Sequence, residues 1–108
     1  MLALNFVTDL PEHYFVATKY NFEFDPTKDA ANIAKHGLSL AEAATLEMSL
    51  ARVSIDRRRD YGEERFIAVG PLAGRLHVLI FALRGAVIRV ISLRKANARE
   101  MRDYDRRR

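Results

Sequence analysis

The sequence predicts an α+β protein in the order β-α-α-β-β-β-β-α with a mostly antiparallel sheet, and three observations predict it. Helical periodicity is confined to residues 26–48 and to the segment from Asn97 onward. Between them lie four runs rich in Val, Ile, Leu and Phe. The separators between those runs are short enough to make them antiparallel neighbours in a meander. At 108 residues, 49% hydrophobic and 30% charged, the chain has the size and mix of one globular domain.

Taken in order, Asn21-Phe22-Glu23-Phe24 alternates polar and aromatic side chains as a short strand does. Asp25-Pro26 then supplies an N-cap with proline at the first helical position. In this helix Ala30, Ile33 and Ala34 form the expected apolar stripe, with Lys28, Asn32, Lys35 and His36 on the polar side and Gly37 as a left-handed C-cap. Ser39 and Glu42 read as an S-x-x-E capping box opening a second helix that runs to about Met48. Strands are expected at 50–56, 64–72, 75–84 and 86–94, separated by the loop 57–62, a tight turn at 71–74, and Gly85. The middle strands are apolar at both parities, so both faces of the sheet should be at least partly covered. Asn97 with Glu100 gives cap signals for a final helix, on which Met101 and Tyr104 share a face. Residues 1–20 read as a leader, expected to be poorly ordered, ahead of a domain at 21–108.

Composition narrows the function. The absence of cysteine removes disulfide frameworks and thiolate zinc sites and fits the cytosol. The first residues are not expected to be a secretion signal, because they lack a basic n-region and carry Asp9 and Glu12 where such a signal is apolar. The longest apolar stretch, 76–83, contains His77 and falls far short of the roughly 20 residues that cross a bilayer, so no membrane is expected. The net charge of +4 is unevenly distributed: residues 1–51 hold three Lys/Arg against seven Asp/Glu, and residues 52–108 hold fifteen against seven. Fourteen of those fifteen cations are arginine, whose planar fork grips phosphate with two donors at once. A basic surface for a polyanion is therefore expected from the C-terminal half.

Phe22-Glu23-Phe24-Asp25-Pro26, then Lys28, Asn32 and Lys35-His36-Gly37, resemble the opening of the BrnT toxin family. The resemblance continues through an Ala- and Glu-rich helix, the Gly-Glu-Glu-Arg-Phe-Ile-Ala-Val-Gly strand at 62–70, and Arg89-Val-Ile-Ser92-Leu-Arg94-Lys95-Ala96. It closes with an Arg-Glu-containing helix ending in Tyr104, so that it covers about 21–104, while the leader departs from the pattern. It implies a RelE-like fold, metal-independent endoribonuclease activity without a cofactor, growth arrest, and a hetero-oligomer with a BrnA-type antitoxin that carries a ribbon-helix-helix DNA-binding domain.

Cleaving RNA without a metal uses the 2′-hydroxyl as nucleophile, so the site must assist its deprotonation, neutralise charge on phosphorus and protonate the 5′-oxygen. Lys35 and His36 at the end of the first helix, Glu64 and Arg65 at the start of a strand, and Arg94 are the expected catalytic residues; Arg89, Ser92 and Lys95 are the expected RNA contacts. His36 suits a general acid or base, Glu64 or Glu63 a base, and Lys35 and the arginines a phosphate. Strand alternation puts Ser92 and Arg94 on one face and Arg89 on the other, so a regular strand cannot aim all three at one phosphate, and either a bulge or a role for Arg89 elsewhere is needed. His13 and His77 lie outside the matching segments. Two other readings remain: a non-catalytic basic module that docks nucleic acid or an acidic partner, and an inactive toxin serving in a repressor complex.

Overall fold

In the computed structural model, which describes residues 21–106, five strands form one sheet in the order β1-β5-β4-β3-β2. The strands are β1 (Asn21–Glu23), β2 (Arg52–Ile55), β3 (Phe66–Leu72), β4 (Arg75–Arg84) and β5 (Val87–Lys95). All pairings are antiparallel except β1 with β5. Helices α1 (Pro26–His36) and α2 (Ala98–Arg106) and two short 3₁₀ segments, Leu40–Thr45 and Met48–Leu50, complete the α+β fold. The leader at 1–20 lies outside the described residues, as do Arg107 and Arg108.

Helix α1 begins and ends as its sequence predicts. The Asp25 carboxylate accepts from Thr27 N–H at 2.8 Å, and Gly37, at φ 73°, closes the helix by donating to Ile33 O. Its orientation differs from expectation. Ala30 and Ala34 are exposed and Ile33 is 47% exposed, whereas Asn32 is the buried residue. The helix lies against β5, where an edge with unpaired peptide groups outweighs apolar area as the thing to be covered. The Asn32 amide donates to Leu93 O at 2.8 Å and to Leu38 O at 2.9 Å, and its oxygen accepts from Leu93 N–H at 3.2 Å. β1 ends at Glu23, opposite Arg89, so beyond it a side-chain amide takes over the role of a strand peptide.

The expected second helix is instead the two 3₁₀ segments. Leu40, Ala43 and Leu46 recur every third residue and are all buried, which matches three residues per turn rather than 3.6. Ser39 caps the first segment by accepting from Ala41 N–H, but Glu42 is exposed and the reciprocal half of the box is absent among the described residues. The second bond comes from Asp29 of α1, whose carboxylate accepts from Ser39 Oγ at 2.9 Å and from Leu40 N–H at 2.7 Å.

These segments and α1 cover one face of the sheet, where Phe66, Phe81, Leu79, Ile88, Val90 and Leu93 form the centre of the core. Gly70 lets the chain cross close above β3: a Cβ there would stand 3.0 Å from Ala51 Cβ. The turn from β3 to β4 has Ala73 and Gly74 at φ 52° and 78°, the left-handed pair that suits a two-residue hairpin. The opposite, outer face is covered at one end only, by α2, none of whose side chains is buried. Here Asn97 and Glu100 form the capping box the sequence predicts, with bonds of 2.8 and 2.9 Å in opposite directions. Among the described residues no helix is long and apolar enough to cross a membrane.

Candidate active site

Of the two alternatives for the last strand, a bulge or a separate role for Arg89, the structure has the bulge. Ile80 pairs with Ser92 and Phe81 with Val90, which leaves Ile91 as one extra residue in β5. Val90 and Leu93 therefore both face the core, and Arg89, Ser92 and Arg94 all face outward. Registers across the sheet extend this face. Arg94 lies beside Val78, then Val69, then Arg52; Ser92 lies beside Ile80, Ile67 and Ser54. The result is a short aliphatic strip with arginines around it.

Each arginine is held differently. Arg94 donates from Nη1 and Nη2 to the two Glu100 oxygens, both at 2.8 Å, which pins α2 to β5. That pairing raises the Arg94 pKa and holds the Glu100 carboxyl below its usual range. It leaves the Nε–Nη2 edge of the guanidinium without a partner among the described residues. Arg89 pairs with Glu23 of β1 at 3.2 Å. Arg52 lies 5.7 Å from the Tyr104 ring, and Tyr104 donates to Leu50 O at 2.6 Å, a second tie for α2. Between α2 and the sheet a groove of about 190 Å³ is lined by Arg52, Ile67, Val69, Glu100, Asp103 and Tyr104.

Arg65, one residue before β3, stacks on Tyr61 with 4.1 Å between guanidinium and ring centroid. Its acidic neighbour is not the expected one. Glu63 stands 3.8 Å from Arg65 and 3.5 Å from Arg84, while Glu64 is exposed and has no ion pair among the described residues. His36 is half-buried at the end of α1. Desolvation first, then the charges of Lys35 and Arg94, lower its pKa, so it reaches neutral pH with an unprotonated nitrogen. Lys35 and Lys95 are exposed. The fold thus sets Arg89, Ser92 and Arg94 on the outward face of β5, places His36 near enough to Arg94 to feel its charge, gathers Arg65 with Tyr61 and Glu63 ahead of β3, and leaves Glu64 exposed.

Sequence reading missed Asp56, Tyr61 and Glu100 as members of this surface. Asp56 follows β2 with its side chain fully buried and accepts from Arg58 and Tyr61. An acidic residue closing an apolar run, with arginine two positions on, was the available signal. Among the described residues no group of three or more His, Asp or Glu is placed to hold a metal ion.

The α+β chain turns a sheet face edged by arginine toward solvent, a surface whose charge suits a polyanion. More particularly, the family model described as the ribonuclease toxin BrnT of type II toxin–antitoxin systems matches residues 24–100, and the chain belongs to that family. No curated protein matches the chain.

Proposed function

We propose that the protein is a metal-independent endoribonuclease toxin that cuts RNA through its own 2′-hydroxyl and is neutralised by a BrnA-type antitoxin with a ribbon-helix-helix domain. The β5 bulge supports the reading: Arg89, Ser92 and Arg94 share the outward face and His36 feels the charge of Arg94, which would let a base and fixed donors meet one stretch of RNA backbone. His36 takes the 2′-hydroxyl proton, the freed O2′ attacks phosphorus, and the P–O5′ bond breaks to leave a 2′,3′-cyclic phosphate. The departing 5′-oxygen takes a proton from solvent, which reaches this open face. Arg94 and Arg65 stabilise the charge that accumulates on the phosphoryl oxygens, with Arg89, Ser92, Lys35 and Lys95 holding flanking RNA. The rim position of Glu64 makes it the weaker candidate for the base. The arrangement, α1 and the 3₁₀ segments on one face of a mostly antiparallel sheet and α2 at one end of the other, is one we read as RelE-like.

An antitoxin segment rich in carboxylates would fit the same face, since complementary charge speeds encounter and excludes RNA. The expected result is that inducing this protein alone stops bacterial growth within a generation or so, while co-expression of the antitoxin restores it. Unimpaired growth despite soluble protein at verified levels would remove the toxin reading. A complex that still cuts RNA at the free rate would remove occlusion.

A further inference from the structure

The arginine triplet at 57–59 is one run in sequence, yet its members differ in the fold. Arg57 has no side-chain partner among the described residues. Arg59 rests 5.4 Å from the Tyr61 ring. Arg58 is clamped: its Nε donates to Asp56 Oδ1 and its Nη2 to Asp56 Oδ2, both at 2.7 Å, and its backbone N–H reaches the same carboxylate at 3.1 Å. Tyr61 adds a fourth bond to Asp56 at 3.1 Å, while its ring supports Arg65.

We propose that Arg58 is a phosphate-binding residue of this site and that Asp56 and Tyr61 are its positioning residues. The inference rests on the ribonuclease reading and adds a substrate contact to it. The four bonds to the Asp56 carboxylate steady the 56–61 loop, and the two from the Arg58 side chain also fix the direction in which its guanidinium points. The Asp56 side chain is 0% exposed and the Arg58 side chain 65%. The carboxylate is therefore the fixed member, kept ionised by the Arg58 hydrogen bonds with a pKa of about 2, and the guanidinium is presented outward on it. A guanidinium has five N–H donors. Among the described residues, Asp56 uses one side edge of Arg58 and leaves its Nη1–Nη2 end without a partner, whereas Glu100 uses the end of Arg94 and leaves its side edge without one. The two arginines are close enough for the charge of Arg58 to oppose that of Arg94. Each guanidinium is held by a carboxylate and keeps a paired-donor edge without a partner among the described residues, the arrangement that suits a phosphate oxygen pair.

The test measures binding of a single-stranded 2′-O-methyl RNA oligonucleotide, which lacks the nucleophile, by fluorescence anisotropy at several salt concentrations, with melting curves as the folding control. Arg57→Ala should change affinity by no more than about twofold. Arg58→Ala should weaken it about ten- to hundredfold and reduce the slope of log K against log salt by about 0.7, the signature of one lost phosphate contact on a single strand. Arg58→Lys retains the charge but cannot fork onto Asp56, and should lose most of the same affinity. Asp56→Asn makes the protein more positive, so a simple charge account predicts tighter binding, and positioning predicts weaker. Equal affinities for Arg58→Ala and Arg57→Ala, full binding by Arg58→Lys, or tighter binding by a folded Asp56→Asn would each overturn the assignment. So would a wild-type protein that does not bind. A wild-type protein that binds this oligonucleotide yet leaves unmodified RNA intact would remove the ribonuclease reading, and the same comparison of variants would still decide Arg58.

Discussion

Arg94→Ala is expected to slow single-turnover RNA cleavage by a few hundredfold, about 3–4 kcal/mol, which is the usual loss when one preorganised donor to a developing oxyanion is removed. Arg94 sits on a rigid strand next to the bulge, with its guanidinium fixed by Glu100 and one donor edge free, so it need not reorganise as charge develops on phosphorus. The same ion pair also holds α2, which supplies the competing explanation. Glu100→Gln separates the two. It removes the charge but keeps an acceptor for Arg94, and should cost about tenfold or less. Equal losses in both variants would mean that Arg94 acts only by docking α2. Because α2 buries no side chain, both variants should keep the folded sheet, which circular dichroism and melting curves would verify.

Asn32→Ala should cost about 3 kcal/mol of stability, a fall in Tm on the order of 15 °C for a domain of this size. Alanine leaves Leu93 N–H, Leu93 O and Leu38 O without the partner that the amide supplies. Asn32→Asp should be at least as damaging, since a carboxylate can accept from Leu93 N–H but only repels the two carbonyls. Urea titration of the three proteins gives the values. An Asn32→Ala protein as stable as wild type would show that α1 is held to β5 by other contacts. Asn32 also anchors the turn of α1 that ends in Lys35 and His36, so this substitution should lower cleavage at temperatures where the protein remains folded.

How much of this was legible in the sequence depends on how local its cause is. The caps of α1 and α2 and the β4 bounds follow from short-range chemistry and appear as expected, whereas strict alternation left either a bulge or a separate role for Arg89, and the structure has the bulge. The orientation of α1 does not, because the apolar stripe Ala30–Ile33–Ala34 loses to a tertiary demand, the unpaired peptide groups of Leu93, that has no local signature. The 3₁₀ segments were partly legible: Leu40, Ala43 and Leu46 fit a period of three, but S-x-x-E chemistry at Ser39 and Glu42 points to an α-helix until Asp29 is seen to supply the second cap. In the site, arginine on β5 could be read directly. Asp56 and Tyr61 could not, because their importance comes from a loop folding back onto the sheet edge.

The central claim, a metal-independent ribonuclease site on the open sheet face, is tested most directly by incubating the purified protein with a 5′-labelled RNA in excess EDTA and identifying the product ends. Cleavage that persists in EDTA, leaves 2′,3′-cyclic phosphate on the upstream fragment, fails on RNA carrying 2′-O-methyl groups, and disappears with Arg94→Ala is the predicted result. RNA that stays intact in EDTA and is cut only when a divalent cation is restored, or products that carry 3′-hydroxyl ends, would contradict it.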